Sequence, residues 1–331
     1  MKTKNVHRLS IGMAALAAMT SFSSPARAES GGIAAPSNAL SVCEYDALEK
    51  TSRPRSMFVY EYCCRILRER AAEAGAWKDQ MEPTLCEKIA KTCPVVKTDI
   101  WNGGRRTVFT FKGHEAWVVE PPPEAKKLPS RRWTWTMQWA TAFVPRTGVP
   151  RLLKSGWHHV TLMQYDERMT DEGIALSEAF QDFLVKELDF DPKANLIGMC
   201  WGGFFSVRYA AAHPERVDRI YLDAPLLSFE GFKHDSGPWK GTEPEGGWRD
   251  DPRMPVNMAG ALAKTEIPIL LLYGKSDTVV PPALNCERFA AAYKEAGGKG
   301  MKSIGRMNFV HHPHGCDVDD GTIYCFFHFK R

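Results

Sequence analysis

The sequence predicts a doubly wound α/β domain with a mostly parallel sheet, preceded by a small helical, cysteine-rich extension. Two observations carry most of this prediction. Strand-like and helix-like patterns alternate from residue 106 nearly to the end of the chain. At residues 195–212 a short apolar run, a glycine-flanked turn and an amphipathic segment follow one another without a break. A third observation, the buried character of runs such as Arg132–Met137 and Pro268–Tyr273, agrees with strands covered on both faces.

Taken in order, Lys2, Lys4 and Arg8 precede an apolar run from about Ile11 to Met19. Ala26 and Ala28 then supply the small residues that a signal peptidase reads, so residues 1–28 read as a secretory signal cleaved after Ala28. The expected location is secreted or periplasmic, and no later segment is long and apolar enough for a membrane helix. Residues 29–100 read as a flexible leader followed by a helical extension, with helices around Tyr60–Ala74 and Pro83–Thr92. Residues 101–331 form the main domain. Its strands are expected as a hairpin over Arg106–Glu120 with its turn at Lys112 and Gly113, then Arg132–Met137, Trp157–Met163, the apolar run from Asn195, Arg219–Asp223 and Pro268–Tyr273. Helices are expected at Val149–Ser155, Asp171–Leu188, from the turn to Ala212, and at Glu287–Ala296. The Gly/Pro/Trp-rich stretch 228–258 suits a lid or pocket-lining insertion. Trp239 and Trp248 within it suggest an aromatic wall of the kind that stacks on sugars or aryl groups.

Nine cysteines are present. With Cys200 set aside as a free thiol, the other eight (Cys43, Cys63, Cys64, Cys86, Cys93, Cys286, Cys316 and Cys325) could pair completely in an exported protein. Charge is nearly balanced, at 43 basic against 39 acidic residues. No basic block with interleaved aromatics occurs, which argues against a nucleic-acid partner.

The chemistry converges on Gly198-Met199-Cys200-Trp201-Gly202-Gly203. A strand, a tight turn and a helix with small residues two before and two after Cys200 describe a nucleophile elbow, with cysteine where serine is usual. The helix N-terminus directs free N–H groups at the sulfur and favours thiolate. Such a nucleophile needs a base and a group that orients the base. Asp277, after a buried strand and a glycine turn, is the first choice for the acid; Asp223, directly after the preceding strand, is its competitor. The base is expected in Val310-His311-His312-Pro313-His314, with His311 first, His314 as the alternate and His312 last. Backbone N–H groups of Trp201 and of Gln138 (or Met137) would form the oxyanion hole. Three clustered histidines also suggest a metal, but Pro313 separates two of them and no carboxylate-bearing metal motif accompanies them, so neither metal nor cofactor is assigned. His158, His159 and His213 read as structural or exposed.

With these residues in view, the chain resembles the α/β-hydrolase superfamily over roughly residues 106–325, in the order Cys200, Asp277, His311. The elbow is similar to that of dienelactone hydrolases, in which the resemblance implies a Cys-Asp-His triad acting on esters and lactones. A broader likeness is to bacterial hydrolases of the prolyl-oligopeptidase and carbohydrate-esterase type. It rests on Trp133 and Trp135, Gly156-Trp157-His158, Gly198 to Gly203, Asp223-Ala224-Pro225, Asp277 to Pro281 and His311 to Gly315. The expected function is a secreted hydrolase that cleaves a small-molecule or carbohydrate ester, or a lactone, through an acyl-cysteine. The alternatives are a non-catalytic binding protein on the same fold and a peptidase or amidase.

Overall fold

The computed structural model describes residues 84–312, 314–315 and 321–328. The signal segment, the leader, the helix around Tyr60–Ala74, and Cys43, Cys63, Cys64 and Cys316 lie outside the described residues. Helix α1 (Thr84–Ala90) leads into strand β1 (Val95–Trp101), then β2 (Gly104–Phe111), β3 (His114–Glu120) and β4 (Trp133–Thr136). Next come α2 (Val149–Lys154), β5 (His158–Leu162), α3 (Asp171–Leu188), β6 (Ala194–Met199), α4 (Trp201–Ala212) and β7 (Val217–Asp223). The chain continues through α5 (Ala259–Leu262), β8 (Ile269–Gly274), α6 (Cys286–Glu295), β9 (Met301–Arg306) and α7 (Gly321–His328). β1 departs from the sequence expectation: residues 95–100 fall within the span assigned to the helical extension, yet Val95–Trp101 is the edge strand of the sheet.

Among the described residues the sheet has nine strands in the order β1-β2-β3-β5-β4-β6-β7-β8-β9. The pairs β1–β2, β2–β3 and β3–β5 are antiparallel, and every pair from β5 to β9 is parallel. Lys112 and Gly113 make the β2–β3 turn as expected, both at positive φ. The central strands are buried along their whole length because each face has its own cover. On β8, Ile269 and Leu271 point into the larger core with Phe180, Leu184, Phe204, Phe205 and Phe289. Leu270 and Leu272 point the other way, into a second core with Leu152, Leu153, Tyr221, Ile323 and Phe327. The period-2 alternation thus divides the helices: α2 and α7 cover one face, and α1, α3, α4, α5 and α6 the other.

α3 shows why a segment falls where it does. Thr170 precedes it in an extended conformation, and Asp171 and Glu172 place negative charge at the positive end of the helix dipole. Phe180, Leu184 and Leu188 recur four apart and are buried, each such burial contributing roughly 1.5–3 kcal/mol. The helix stops at Asp189, in the left-handed region at φ 57°.

The stretch 228–258 packs down onto α4. Phe229 stacks on Phe204 at 5.1 Å, and the Val256 N–H donates to the Leu227 carbonyl at 2.8 Å. Trp239 is only 4% exposed, and its indole N–H donates to the Arg168 carbonyl at 2.9 Å. It is a core residue and presents no wall to a ligand; Trp248 is half-buried edge-on to Phe229. Complete pairing of the eight cysteines is not realised either. Cys86, Cys93, Cys200, Cys286 and Cys325 are free thiols, and Cys93 and Cys286 sit in apolar packing like other small hydrophobic side chains.

The elbow crossing is tightest at Gly203. A Cβ there would stand 2.8 Å from Pro225 Cα, and one on Gly198 would meet Ser206 Oγ at 2.6 Å and Gly203 Cα at 2.8 Å. Gly202, which the sequence suggested as the second spacer, has ordinary room, its nearest neighbour being Gln138 N at 3.4 Å. Gly203→Ala is therefore expected to destabilise the fold by roughly 1–3 kcal/mol through overpacking, despite alanine's better helix propensity. A denaturant midpoint equal to or above that of the parent would contradict this.

Candidate active site

Cys200 joins β6 to α4 and has φ 50° and ψ −118°, a strained conformation for a residue with a side chain. The surrounding hydrogen bonds hold it there. Its N–H donates to the Asp223 carbonyl at 3.1 Å, and its carbonyl accepts from the N–H groups of Gly203 and Leu226, both at 2.9 Å. The thiol stands at the head of α4, whose N-terminus has no side-chain cap. N–H groups at such a terminus are left for a ligand or a reacting atom.

Asp277 lies on the turn after β8. Its Oδ1 accepts the N–H groups of Val279 and Val280, both at 2.9 Å, so one carboxylate oxygen fixes the turn. The other oxygen, Oδ2, faces His311 Nδ1 at 2.7 Å. The capping role and the role toward the histidine are thus filled by different atoms of one side chain. A close approach brings the two loops together. A Cβ on Gly274 would collide with the carbonyls of Phe309 and Val310, and the Ser276 N–H donates to the Phe309 carbonyl at 2.9 Å. Cys200 lies close enough to His311 to act on its ring. Burial alone would lower the His311 pKa, but the hydrogen bonds and charges of Asp277 and Cys200 outweigh it and push the pKa up to about 10. Cys200, His311 and Asp277 are therefore brought together in one place, with Asp277 hydrogen-bonded to His311 and Cys200 beside it.

A second pair lies beside the first. His314 Nδ1 is 2.9 Å from Asp223 Oδ1, while Asp223 Oδ2 accepts from the Tyr221 hydroxyl and the Gly315 N–H. Burial works against ionisation of Asp223, yet His314, Arg306 and these hydrogen bonds hold its carboxyl well below the usual carboxylate range. His314 stays below the ordinary histidine value because it is fully buried, and burial also pushes His312 down, to about 3. Buried Arg146 fixes the loop from beneath, donating from Nε to the His314 carbonyl at 2.5 Å and from Nη2 to the Gly315 carbonyl at 3.1 Å. Sequence reasoning weighed Asp223 only as a rival acid for the first histidine and did not single out Arg146. Two acids at successive strand ends, with two histidines spaced three apart, were the available signal for a second pair.

Of the two candidates after β4, Met137 spends its N–H on the Ile197 carbonyl at 3.1 Å, inside the sheet. Gln138 remains, with its backbone against Gly202 in the first turn of α4 and hence next to Trp201. Its side-chain Oε1 is buried without a hydrogen-bond partner among the described residues, and Trp139 follows at φ 63°. Tyr165 closes the flank, with its ring edge-on to Trp201 at 5.9 Å and tilted against Trp139 at 5.1 Å. His158 and His159 are buried strand residues, each pushed down to about 3 by burial, and His213 follows the last turn of α4 half-buried. They have structural places, as the sequence suggested.

A family model for the alpha/beta hydrolase fold matches residues 164–249, the stretch that contains α3, the elbow and β7. No curated protein matches the sequence. Among solved structures, a protein of Bacteroides ovatus assigned as a dipeptidyl aminopeptidase IV is 13% identical with a TM-score of 0.53, over 68% of this chain and 35% of that one. An S-formylglutathione hydrolase from Agrobacterium tumefaciens is 14% identical with a TM-score of 0.50, over 70% of this chain and 95% of that one. A puromycin-hydrolyzing peptidase of Mycobacterium tuberculosis is 19% identical with a TM-score of 0.46, over 64% of this chain. The chain spans about a third of the length of these two peptidases, matching 35% of each. Sheet order, elbow and neighbours agree: the chain has the α/β-hydrolase fold and resembles that superfamily.

Proposed function

We propose that this protein is a hydrolase that cleaves small esters or lactones through an acyl-cysteine on Cys200. The observation that carries the reading is the convergence of Cys200, held at φ 50° at the head of a helix, with His311, which Asp277 holds at 2.7 Å. His311, its pKa raised by Asp277 and Cys200, already holds the proton taken from the thiol; sulfur attacks the acyl carbon, and the imidazolium gives that proton to the departing alkoxide. Water, deprotonated by the same imidazole, hydrolyses the thioester and regenerates the thiol. Asp277 fixes the Nδ1–H tautomer, so that Nε2 faces the chemistry. The N–H groups of Trp201 and Gln138 are the proposed donors to the oxyanion. Export of the protein rests on the basic, apolar and small-residue pattern of residues 1–28.

Esters are favoured over amides because a thiolate is itself a better leaving group than an amine, and the intermediate from an amide collapses backward unless nitrogen is firmly protonated. One fold neighbour is assigned as a dipeptidyl aminopeptidase and another is an S-formylglutathione hydrolase, so both bond types belong in the test. Acyl esters, lactones and acyl-amides of matched acyl group should show ester or lactone turnover at least tenfold above the amide. One equivalent of iodoacetamide should label Cys200 and remove that activity. Amide turnover without ester turnover would replace this reading with a peptidase. No turnover, together with a Cys200 no more reactive than Cys325, would leave a binding protein on the same fold.

A further inference from the structure

The histidine loop holds one arrangement that hydrolysis does not use. His311, His312 and His314 each present one ring nitrogen to a common space, and these three atoms all lie within 4.8 Å of one another. The rings pack mutually edge to face, with centroids 4.6, 4.9 and 5.1 Å apart. Two of the three are already oriented as metal ligands are. His311 Nδ1 is held by Asp277 at 2.7 Å and His314 Nδ1 by Asp223 at 2.9 Å, so the carboxylates leave each Nε2 for a ligand. A carboxylate behind each imidazole is the usual outer shell of a histidine-bound metal, fixing the tautomer and raising the ring's basicity. The third ring, His312, has a buried Nδ1 with no hydrogen-bond partner among the described residues. Its ring lies flat on Phe143 at 5.5 Å, which limits how it can turn away. The sequence argued against a metal because no carboxylate motif adjoined the run; the fold supplies those carboxylates from the ends of β7 and β8.

We propose that His311, His312 and His314 bind a zinc ion, with Asp223 and Asp277 as the carboxylates behind two of the ligands. All-imidazole donors suit a borderline divalent ion and do not suit calcium or magnesium, which take oxygen. Two imidazole nitrogens on one tetrahedral zinc stand about 3.3 Å apart, given Zn–N bonds of about 2.0–2.1 Å. The widest pair here therefore closes by about 1.5 Å on binding. The ion takes up three nitrogen lone pairs; the Nε2–H bond of His311 breaks as zinc binds, and its proton leaves to solvent. The fourth position stays with water. Zinc on His311 removes the imidazole from Cys200, so occupancy and acyl-cysteine chemistry exclude each other. That inhibitory consequence rests on the function proposed above; binding itself does not.

The test is competition for Zn²⁺ between the full chain and a chromophoric chelator, after EDTA treatment and with the cysteines kept reduced. One equivalent should bind, and His312→Gln and His314→Gln should each weaken it at least tenfold with near-ultraviolet circular dichroism unchanged. Zinc should also slow iodoacetamide labelling of Cys200 in the parent, but not in His312→Gln at the same free zinc. Because binding and labelling are read without substrate, a failure of ester turnover leaves this result standing. Absence of tight binding, or an affinity indifferent to both substitutions, overturns the proposal; the second outcome would place the metal on the chain's other thiols. Should His314→Gln fail to fold, His312→Gln alone decides.

Discussion

Cys200→Ala is expected to lower kcat for the best ester substrate by about 10⁶-fold, to the background given by binding and the oxyanion donors alone. Alanine removes the sulfur and adds nothing to the turn, so the fold stays intact and no acyl-enzyme accumulates. The parent, rapidly quenched during turnover, should show one acyl group by mass; the variant should show none. Cys200→Ser is the companion. Serine has the right shape, but its hydroxyl is far harder to deprotonate than a thiol, and His311 faces it alone. It should fall between parent and alanine. A Cys200→Ala protein that kept a tenth of the parent rate would remove Cys200 from the chemistry and move the search to a different nucleophile.

Asp277→Asn should cost on the order of 10⁴-fold in kcat, and the reason is a tautomer. The asparagine oxygen can still accept from Val279 and Val280, because those bonds belong to Oδ1. The amide NH₂ then occupies the place of Oδ2 and presents hydrogens to His311 Nδ1. The imidazole answers by carrying its own hydrogen on Nε2, pointed at the sulfur it should deprotonate. Turn, stability and substrate KM should change little. A loss under tenfold would show that Asp277 does not orient the base and would return Asp223 to consideration.

Much of this was legible before any coordinates. The elbow declared itself because three physical demands coincide in six residues: a strand end, small spacers and a helix start. Asp277 was legible from its strand end, and His311 from its position after the last strand signal. What failed was information that lives in neighbouring elements. β1 is half solvent-exposed, with Val96 63% exposed, so no buried alternation marked it. Trp239 looked available because nothing local reveals that Arg168, 71 residues earlier, offers its indole a carbonyl. The cysteine count suggested bridges, but Cys93 and Cys286 are packing atoms in the core, a use that parity cannot detect. Gly203 rather than Gly202 bears the crossing because Pro225, after the next strand, supplies the opposing surface.

The backbone angle at Cys200 has a consequence of its own. A side chain at φ 50° and ψ −118° costs of order 1–3 kcal/mol, and glycine would remove most of it. That is a sizeable part of the 5–15 kcal/mol by which a typical domain stays folded. The position is therefore one where thermal tolerance and reactivity pull in opposite directions. A library screened for heat resistance alone should drift toward glycine there, and one screened for turnover should not. The same residue would be discarded by one pressure and kept by the other.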